Sequence, residues 1–330
     1  MMFDGKNILI TGGTGSLGRG LTKRLLSYNV DSIRIYSRNE NQQVIMQSEF
    51  NDKRLRFLIG DVRDLSRLTR ALEGVDIVFH TAALKHVPVV EYNPFEAVQT
   101  NILGSQNVIN ASLEENVEIC VCIGTDKAVA PLNTYGATKL LMEKLFVTAG
   151  NYLNPLRHKT KFIAVRYGNV LGSNGSVVPK IIEQIKSGRK ITITDPNMTR
   201  FNVIMNQALD LIERATNTGK GGEVFVPKLL AYRVGDLKDV LLDLFKSENT
   251  TEIISVRPGE KFHESLLTID ELRNTYESKH DYILIEKSDF HKNPPRGYEK
   301  TTLIEEYSSR KVKLLTKDEL KEILLKEDLL

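Results

Sequence analysis

Asn7-Ile-Leu-Ile-Thr-Gly-Gly-Thr-Gly-Ser-Leu-Gly18 decides the fold. The β-branched run Asn7 to Thr11 ends directly in a glycine loop, and an amphipathic segment from Leu17 to Tyr28 follows it. Gly12, Gly15 and Gly18 permit a tight turn and let backbone amides approach a pyrophosphate, which then sits at the positive end of the next helix. Gly12, Thr14, Gly15, Ser16, Leu17 and Gly18 are therefore candidate contacts to a dinucleotide. A plain turn is the alternative; the strand before the pattern and the helix after it argue for the dinucleotide.

Outward from that stretch, Ser32 to Ser37, Arg56 to Ile59, Asp76 to His80, Ile119 to Gly124 and Phe162 to Arg166 read as strands. Asn41 to Phe50, Leu65 to Leu72, Phe95 to Glu114 and Thr134 to Thr148 read as amphipathic helices between them. The alternation predicts βαβ units winding one parallel sheet, an α/β doubly wound fold of Rossmann type. Beyond about Leu171 the pattern loosens, with helices expected over Val177 to Ser187 and Gln207 to Thr216 and a strand over Lys190 to Thr194. Residues 1–170 are expected to bind the cofactor and carry the catalytic groups. Residues 171–330 are expected to form a smaller substrate-binding region, interleaved with the first, over the carboxyl edge of the sheet. The charged amphipathic stretch Thr316 to Leu330 reads as a solvated cap or an oligomer contact.

At about 150 residues per domain, 330 residues give two domains or one enlarged α/β unit and exclude a small disulfide scaffold. A net charge of +3, with 26% charged and 41% hydrophobic residues, is an ordinary globular balance that makes no demand for nucleic acid. Apolar runs such as Ile8 to Ile10 fall far short of the roughly 18 residues of a membrane span, and the first residues do not read as a leader. A cytoplasmic protein is expected. Cys120 and Cys122 alternate on one side of a strand and read as buried thiols; no Cys-x-x-Cys or histidine cluster suggests a metal.

At the end of the second strand, where NAD enzymes of this fold place a carboxylate for the ribose, the chain has Tyr36-Ser37-Arg38-Asn39. Ser37 and Arg38 suit a 2′-phosphate and hence NADP; the alternative leaves Arg38 solvated, with Glu40 at the ribose. Asp61, preceding Val62 after the third strand, is placed either to accept from an adenine amino group or to cap the next helix. Thr125-Asp126-Lys127 follows the fifth strand, and Tyr135 and Lys139, at i and i+4, share one helix face. An ammonium near a phenol favours the phenolate, which makes Tyr135 a base for a sugar hydroxyl whose carbon gives hydride to nicotinamide. Lys85 and His86 follow the fourth strand, and His86 reads either as a substrate contact or as a packed loop residue.

Through T-G-x-x-G-x-x-G at 11–18 and Y-x-x-x-K at 135–139 the chain resembles the extended short-chain dehydrogenase/reductases. More narrowly it resembles the C5-inverting UDP-N-acetylglucosamine 4,6-dehydratases. The stretches that carry this are Ala82-Ala-Leu-Lys-His-Val-Pro88, Thr125-Asp-Lys-Ala128, Arg166-Tyr-Gly-Asn-Val-Leu-Gly-Ser173, Met198-Thr-Arg-Phe201 and Arg257-Pro-Gly-Glu-Lys-Phe-His-Glu264. Beyond Glu264 the likeness fades to scattered matches such as Tyr307-Ser-Ser309.

The resemblance implies a lyase in which NADP takes hydride from C4 of the sugar and returns it to C6. It implies Lys127 as the base at C5, Asp126 as partner acid, and Thr125, Tyr135 and Lys139 as the other catalytic groups. Related dehydratases that retain C5 typically carry Glu at the position of Lys127, so the lysine points to inversion. A lysine base must be neutral: a cationic nicotinamide and Lys139 would lower its pKa while Asp126 would raise it, and the sequence leaves that balance open. Asp61, Val62, Ala82, Ala83 and Lys85 are implied cofactor contacts. Lys85, His86, Asn169, Val178, Lys180, Thr199, Arg200, Arg257 and Glu260 are implied contacts to UDP-N-acetylglucosamine. The guanidinium forks of Arg200 and Arg257 suit a diphosphate, surface ion pairs being the alternative. A homo-oligomer is implied, with no nucleic acid, membrane or metal. The rivals are a 4-epimerase or reductase on a related UDP-sugar, which has no need of Lys127, and a noncatalytic NADP-sensing protein.

Overall fold

The computed structural model describes residues 2–330 apart from 152, 155, 174 and 286–293. Ile8, Leu9 and Ile10 lie fully buried in β1 (Asn7–Thr11), at the centre of a parallel sheet. Around it stand β2 (Ser32–Ser37), β3 (Leu55–Ile59), β4 (Ile77–His80), β5 (Ile119–Ile123) and β6 (Lys161–Val165), in the order β3-β2-β1-β4-β5-β6. Winding reverses between β1 and β4, and a crevice opens there above the carboxyl ends of the strands. Both faces of the central strands are covered, which is why β4 and β5 read as unbroken apolar runs rather than alternating ones. His80, at the end of β4, is buried between Thr11 Oγ1 (2.8 Å) and Ser105 Oγ (2.9 Å), and burial holds its pKa at about 3, so it is neutral.

The connecting helices begin with α1 (Ser16–Leu25), α2 (Glu40–Phe50) and α3 (Leu65–Leu72), close to their expected bounds. The single helix expected over Phe95 to Glu114 is broken. A short α4 (Val87–Tyr92) leads to α5 (Pro94–Ala97), a π-helical turn over Val98–Leu103, and α6 (Gly104–Glu114). The wide turn carries Asn101, which is fully buried. Its amide accepts from Leu84 N (2.8 Å) and donates to Leu84 O (3.0 Å) and Thr138 Oγ1 (3.0 Å). The helix thus gives up regular pairing to pin the loop after β4 against α7 (Thr134–Thr148).

Residues beyond 170 serve two cores. Glu223–Pro227 continues the sheet parallel to β6, and Asp281–Ile285, Thr275–Glu277 and Glu299–Lys300 extend it antiparallel. A separate cluster, including Val178, Ile181, Leu237 and Leu241, packs the helices Val177–Lys186 and Val234–Leu244 together. The terminal helix Lys317–Lys326 is more than a solvated cap: Leu320 and Leu324 are fully buried in that second core. Lys317 and Lys321 pair with Asp239 (2.6 Å) and Asp243 (2.7 Å) of the helix beneath. Cys120 and Cys122 are buried free thiols. Among the described residues no helix is long and apolar enough to cross a membrane.

Candidate active site

Gly12 sits at φ +66°, and a Cβ there would lie 2.9 Å from backbone atoms of Ala82, so a glycine is required where β1 turns against the loop after β4. With Thr14, Gly15, Ser16, Leu17 and Gly18 it lines a cleft of about 480 Å³. Ser37, Arg38, Asp61 and Val62 line the same cleft, as do Ala82, Ala83, Lys85, Thr125, Tyr135 and Lys139. Thr100 Oγ1 is buried on its wall without a hydrogen-bond partner. A glycine cradle with no room for side chains and an orphaned hydroxyl fit a bound dinucleotide.

Ser37 Oγ accepts from Gln43 Nε2 (2.9 Å), and the exposed Arg38 reaches within 3.7 Å of Asp61 Oδ2. Asp61 does not cap a helix. Asp64 caps α3, accepting from Arg67 N (2.9 Å), while Asp61 accepts from the backbone and guanidinium of Arg63 (2.9 and 2.7 Å). Burial pushes the Asp61 carboxyl up, but Arg63 and Arg38 outweigh it and hold it below its ordinary value. Glu40 is exposed in the first turn of α2, away from the cleft lining.

After β5, Thr125 caps a single 3-10 turn, Asp126–Ala128; its hydroxyl accepts from Lys127 N (3.4 Å) and donates to Asp126 Oδ1 (2.9 Å). Helix α7 starts against this turn, with Asn133 Oδ1 accepting from Gly136 N (2.8 Å). A Cβ on Gly136 would stand 2.2 Å from the Lys127 carbonyl oxygen, so this close approach, which sets Tyr135 beside Thr125, requires glycine. Burial holds the Tyr135 phenol above its ordinary value, and Lys127 and a hydrogen bond with Thr125 offset only part of that rise. The lowering charge comes from Lys127, where the sequence pointed to Lys139. Lys139 donates to the Ile123 carbonyl and to Met142 Sδ (3.2 Å), and burial lowers its pKa to about 8.

Lys127 Nζ donates to Asp126 Oδ1 and Asn169 Oδ1, both at 3.1 Å, and lies 3.7 Å from Glu264 Oε1. Burial would lower its pKa; Asp126 and Glu264 overcome that and hold it above the ordinary lysine value, so the side chain is charged. Below the site, fully buried Arg166 grips both carboxylate oxygens of Glu143 on α7 (3.0 and 2.5 Å), Glu271 (2.9 Å) and the Leu266 carbonyl (2.8 Å).

Residues 8–286 match the family described as "Polysaccharide biosynthesis protein". The chain belongs to that family. This polysaccharide biosynthesis protein, an extended short-chain dehydrogenase/reductase, is 46% identical over 285 residues to the UDP-N-acetylglucosamine 4,6-dehydratase (inverting) of Campylobacter jejuni subsp. jejuni serotype O:23/36, covering 86% of this chain and 84% of that one. It is 40% identical over 335 residues to a UDP-glucose 4-epimerase of Rickettsia massiliae, covering 99% and 97%. The X-ray structure of Pen from Bacillus thuringiensis shares its Rossmann-type fold with a TM-score of 0.91, at 39% identity over 100% of both chains.

In this family member a second cavity, of about 600 Å³, meets the first at Lys85, His86, Tyr135, Asn169 and Ser173, which line both. Lys127, Lys180, Arg200, Arg257 and Glu260 line it too. Two expected contacts do not. Val178 is fully buried in the second core, because one step along the helix rotates it away from the wall that Val177 lines. The Thr199 hydroxyl is turned to His263 Nδ1 (2.8 Å) and Ser309 Oγ (2.7 Å). Arg200 is no surface ion pair: its Nη1 donates to the Thr199 and Phe262 carbonyls (2.8 and 3.1 Å) and its Nη2 lies 3.4 Å from Glu260. The loop 257–264 is sewn to the start of α7, Asn133 Nδ2 donating to Gly259 O (2.9 Å) and Lys261 Nζ to Val129 O. Sequence reasoning missed Asn101 and Glu264. The signal for Glu264 was its place as the last residue of Arg257-Pro-Gly-Glu-Lys-Phe-His-Glu264.

Proposed function

We propose that this protein removes water from UDP-N-acetylglucosamine across C5 and C6 with inversion at C5, giving the L-arabino 4-keto-6-deoxy sugar nucleotide. The observation that carries this reading is Lys127, a half-buried lysine on the wall of the second cavity, held by Asp126, Asn169 and Glu264. A 4-epimerase or reductase has no step that needs a base there. A bound NADP supplies the hydride acceptor for C4 and the donor for C6.

The chain's own residues supply the rest. Tyr135, hydrogen-bonded with Thr125, takes the proton of the C4 hydroxyl once the phenol has given up its own. Oxidation at C4 makes the C5 proton acidic, and Lys127 removes it once the lysine has given up its own proton. Asp126, which accepts from Lys127 Nζ, is the partner acid: it relays the proton that Lys127 took from C5 to the departing C6 hydroxyl. Lys180, Arg200 and Arg257 offer cationic groups to the diphosphate. Ser37 and Arg38 at the ribose end of the first cleft support NADP over NAD. A cytoplasmic homo-oligomer is part of the reading.

The test is incubation with UDP-N-acetylglucosamine in deuterated water, followed by prompt NMR of the product. One deuterium at C5, an inverted C5 and transfer of a C4 deuterium label to C6 are expected. Conversion to the C4 epimer with no loss of water would overturn the reading in favour of the activity that the Rickettsia relative's name states.

A further inference from the structure

Glu264 has no role in the mechanism above beyond holding Lys127, yet its setting is unusual. Its side chain is 3% exposed and still lines the sugar cavity. Oε1 lies 3.7 Å from Lys127 Nζ and 3.9 Å from Arg200 Nε, whereas Oε2 is buried with no hydrogen-bond partner. Ser309 clamps its backbone from both sides: Glu264 N donates to Ser309 Oγ (2.9 Å), and Ser309 N donates to Glu264 O (2.7 Å). That leaves Glu264 a carboxylate oxygen with open acceptor capacity in the cavity wall.

The charged and titratable groups around it are Asp126 and Lys127 of the Thr125 turn, Tyr135 of α7, Arg200 and Tyr232 across the cavity, and Glu260 and Lys261 on its own loop. Arg200 keeps its proton at any working pH, and Lys261 is committed to the Val129 carbonyl. Lys127 is the donor that faces Oε1.

Resting on the dehydratase reading, we propose that Glu264 accepts the Lys127 proton, so that the base at C5 is a Lys127–Glu264 pair and Glu264 is a positioning residue acting through the lysine. The N–H bond of the ammonium breaks as an O–H bond forms on the carboxylate, and an ion pair becomes a neutral pair with no change in net charge. The free amine takes the C5 proton and is an ammonium again, while the C–H electron pair delocalises into the C4 carbonyl. The departing C6 hydroxyl leaves as water with one of the two protons then held by Lys127, Asp126 and Glu264, which restores the starting charge.

The experiment uses the NADP-loaded enzyme with UDP-N-acetylglucosamine in deuterated water, comparing wild type, Glu264→Gln and Glu264→Asp. Stopped-flow absorbance of reduced nicotinamide reads C4 oxidation, and NMR reads deuterium entry at C5. Glu264→Gln is expected to retain C4 oxidation but to label C5 about 100-fold more slowly at neutral pH. Its residual rate should climb about tenfold per pH unit, because solvent base must now deprotonate Lys127, and Glu264→Asp should recover part of the loss. Labelling by Glu264→Gln at the wild-type rate or faster would overturn the proposal, since a carboxylate that merely held Lys127 charged would, on removal, free the amine. A matching fall in both steps would overturn it as well. A wild-type enzyme that places no deuterium at C5 sinks the dehydratase reading and the proposal with it, whereas a labelled wild type beside an unchanged variant sinks the proposal alone.

Discussion

Glu143→Gln tests the buried clamp that anchors α7. Arg166 is fully buried and Glu143 is 1% exposed, and the pair is bidentate, so the substitution keeps the shape of the side chain and removes its charge. The guanidinium has no neutral form to retreat to, and Glu271, 21% exposed, is left as its remaining carboxylate. Breaking a buried pair on one side costs about 3–5 kcal/mol. With an unfolding entropy of about 2.1 cal/mol/K per residue, a chain of 330 residues has roughly 0.7 kcal/mol/K, which converts the loss into a Tm lowered by about 4–7 °C. Glu271→Gln should cost clearly less, because solvent already screens that partner and Arg166 keeps Glu143. Differential scanning calorimetry of the two variants beside wild type reads both shifts. A fall of under about 2 °C for Glu143→Gln, or equal falls for the two, would refute the assignment of the clamp to the Arg166–Glu143 pair.

Gly136→Ala should destabilise by about 1–3 kcal/mol and depress turnover, because its Cβ meets the Lys127 backbone rather than a flexible side chain; thermal shift and product formation check it. Lys139, with its pKa lowered to about 8 from 10.5, binds its proton in the unfolded chain and releases it in the folded one between those values. The cofactor-free protein should therefore gain stability as pH rises through that window, and Lys139→Met should lose that gain, as urea midpoints at successive pH values will show. Tyr135→Phe should abolish the appearance of reduced nicotinamide, whereas Lys127→Ala should spare it and block elimination; stopped-flow absorbance separates them, and normal turnover by Lys127→Ala would remove its role as base. Arg38→Ala should weaken NADP binding and leave NAD binding nearly unchanged in titrations of stripped protein.

The glycine loop, β1 and α7 were legible because their signals are local: a strand, a turn and a helix in unbroken sequence, or a tyrosine and a lysine on one helix face. The break in the helix over Phe95 to Glu114 was not, since it answers to bonds between Asn101 and Leu84 that no periodicity records. Strands of two or three residues at the antiparallel end of the sheet carry too few positions for an alternation to show. Val178 was misplaced by one helical step. The charge of Lys127 could not be read from its motif alone, because Glu264, brought in from a distant loop, joins Asp126 in setting it. Asp61 lines the cleft of the glycine loop, and of the two roles its position offered, the helix cap falls to Asp64 instead.

The Ser309 clamp on Glu264 has a consequence for the order in which the protein matures on the ribosome. Chains fold from the N-terminus as they emerge, and β1 to β6 with the glycine loop are complete by residue 165. The nucleotide cleft is therefore built largely from the first half of the message, with Tyr167, Gly168, Asn169, Val170, Ser173 and Met205 completing its lining. The acid beside Lys127 is fixed only when residues 307–309 arrive, and the second core closes only with Leu320 and Leu324. A nascent chain stalled near residue 300 presents the glycine loop and the Tyr135–Lys139 helix face while its sugar cavity lacks the strand that holds Glu264. The cleft and the finished sugar cavity are thus completed at different points of translation, separated by the roughly one hundred residues between Met205 and Ser309.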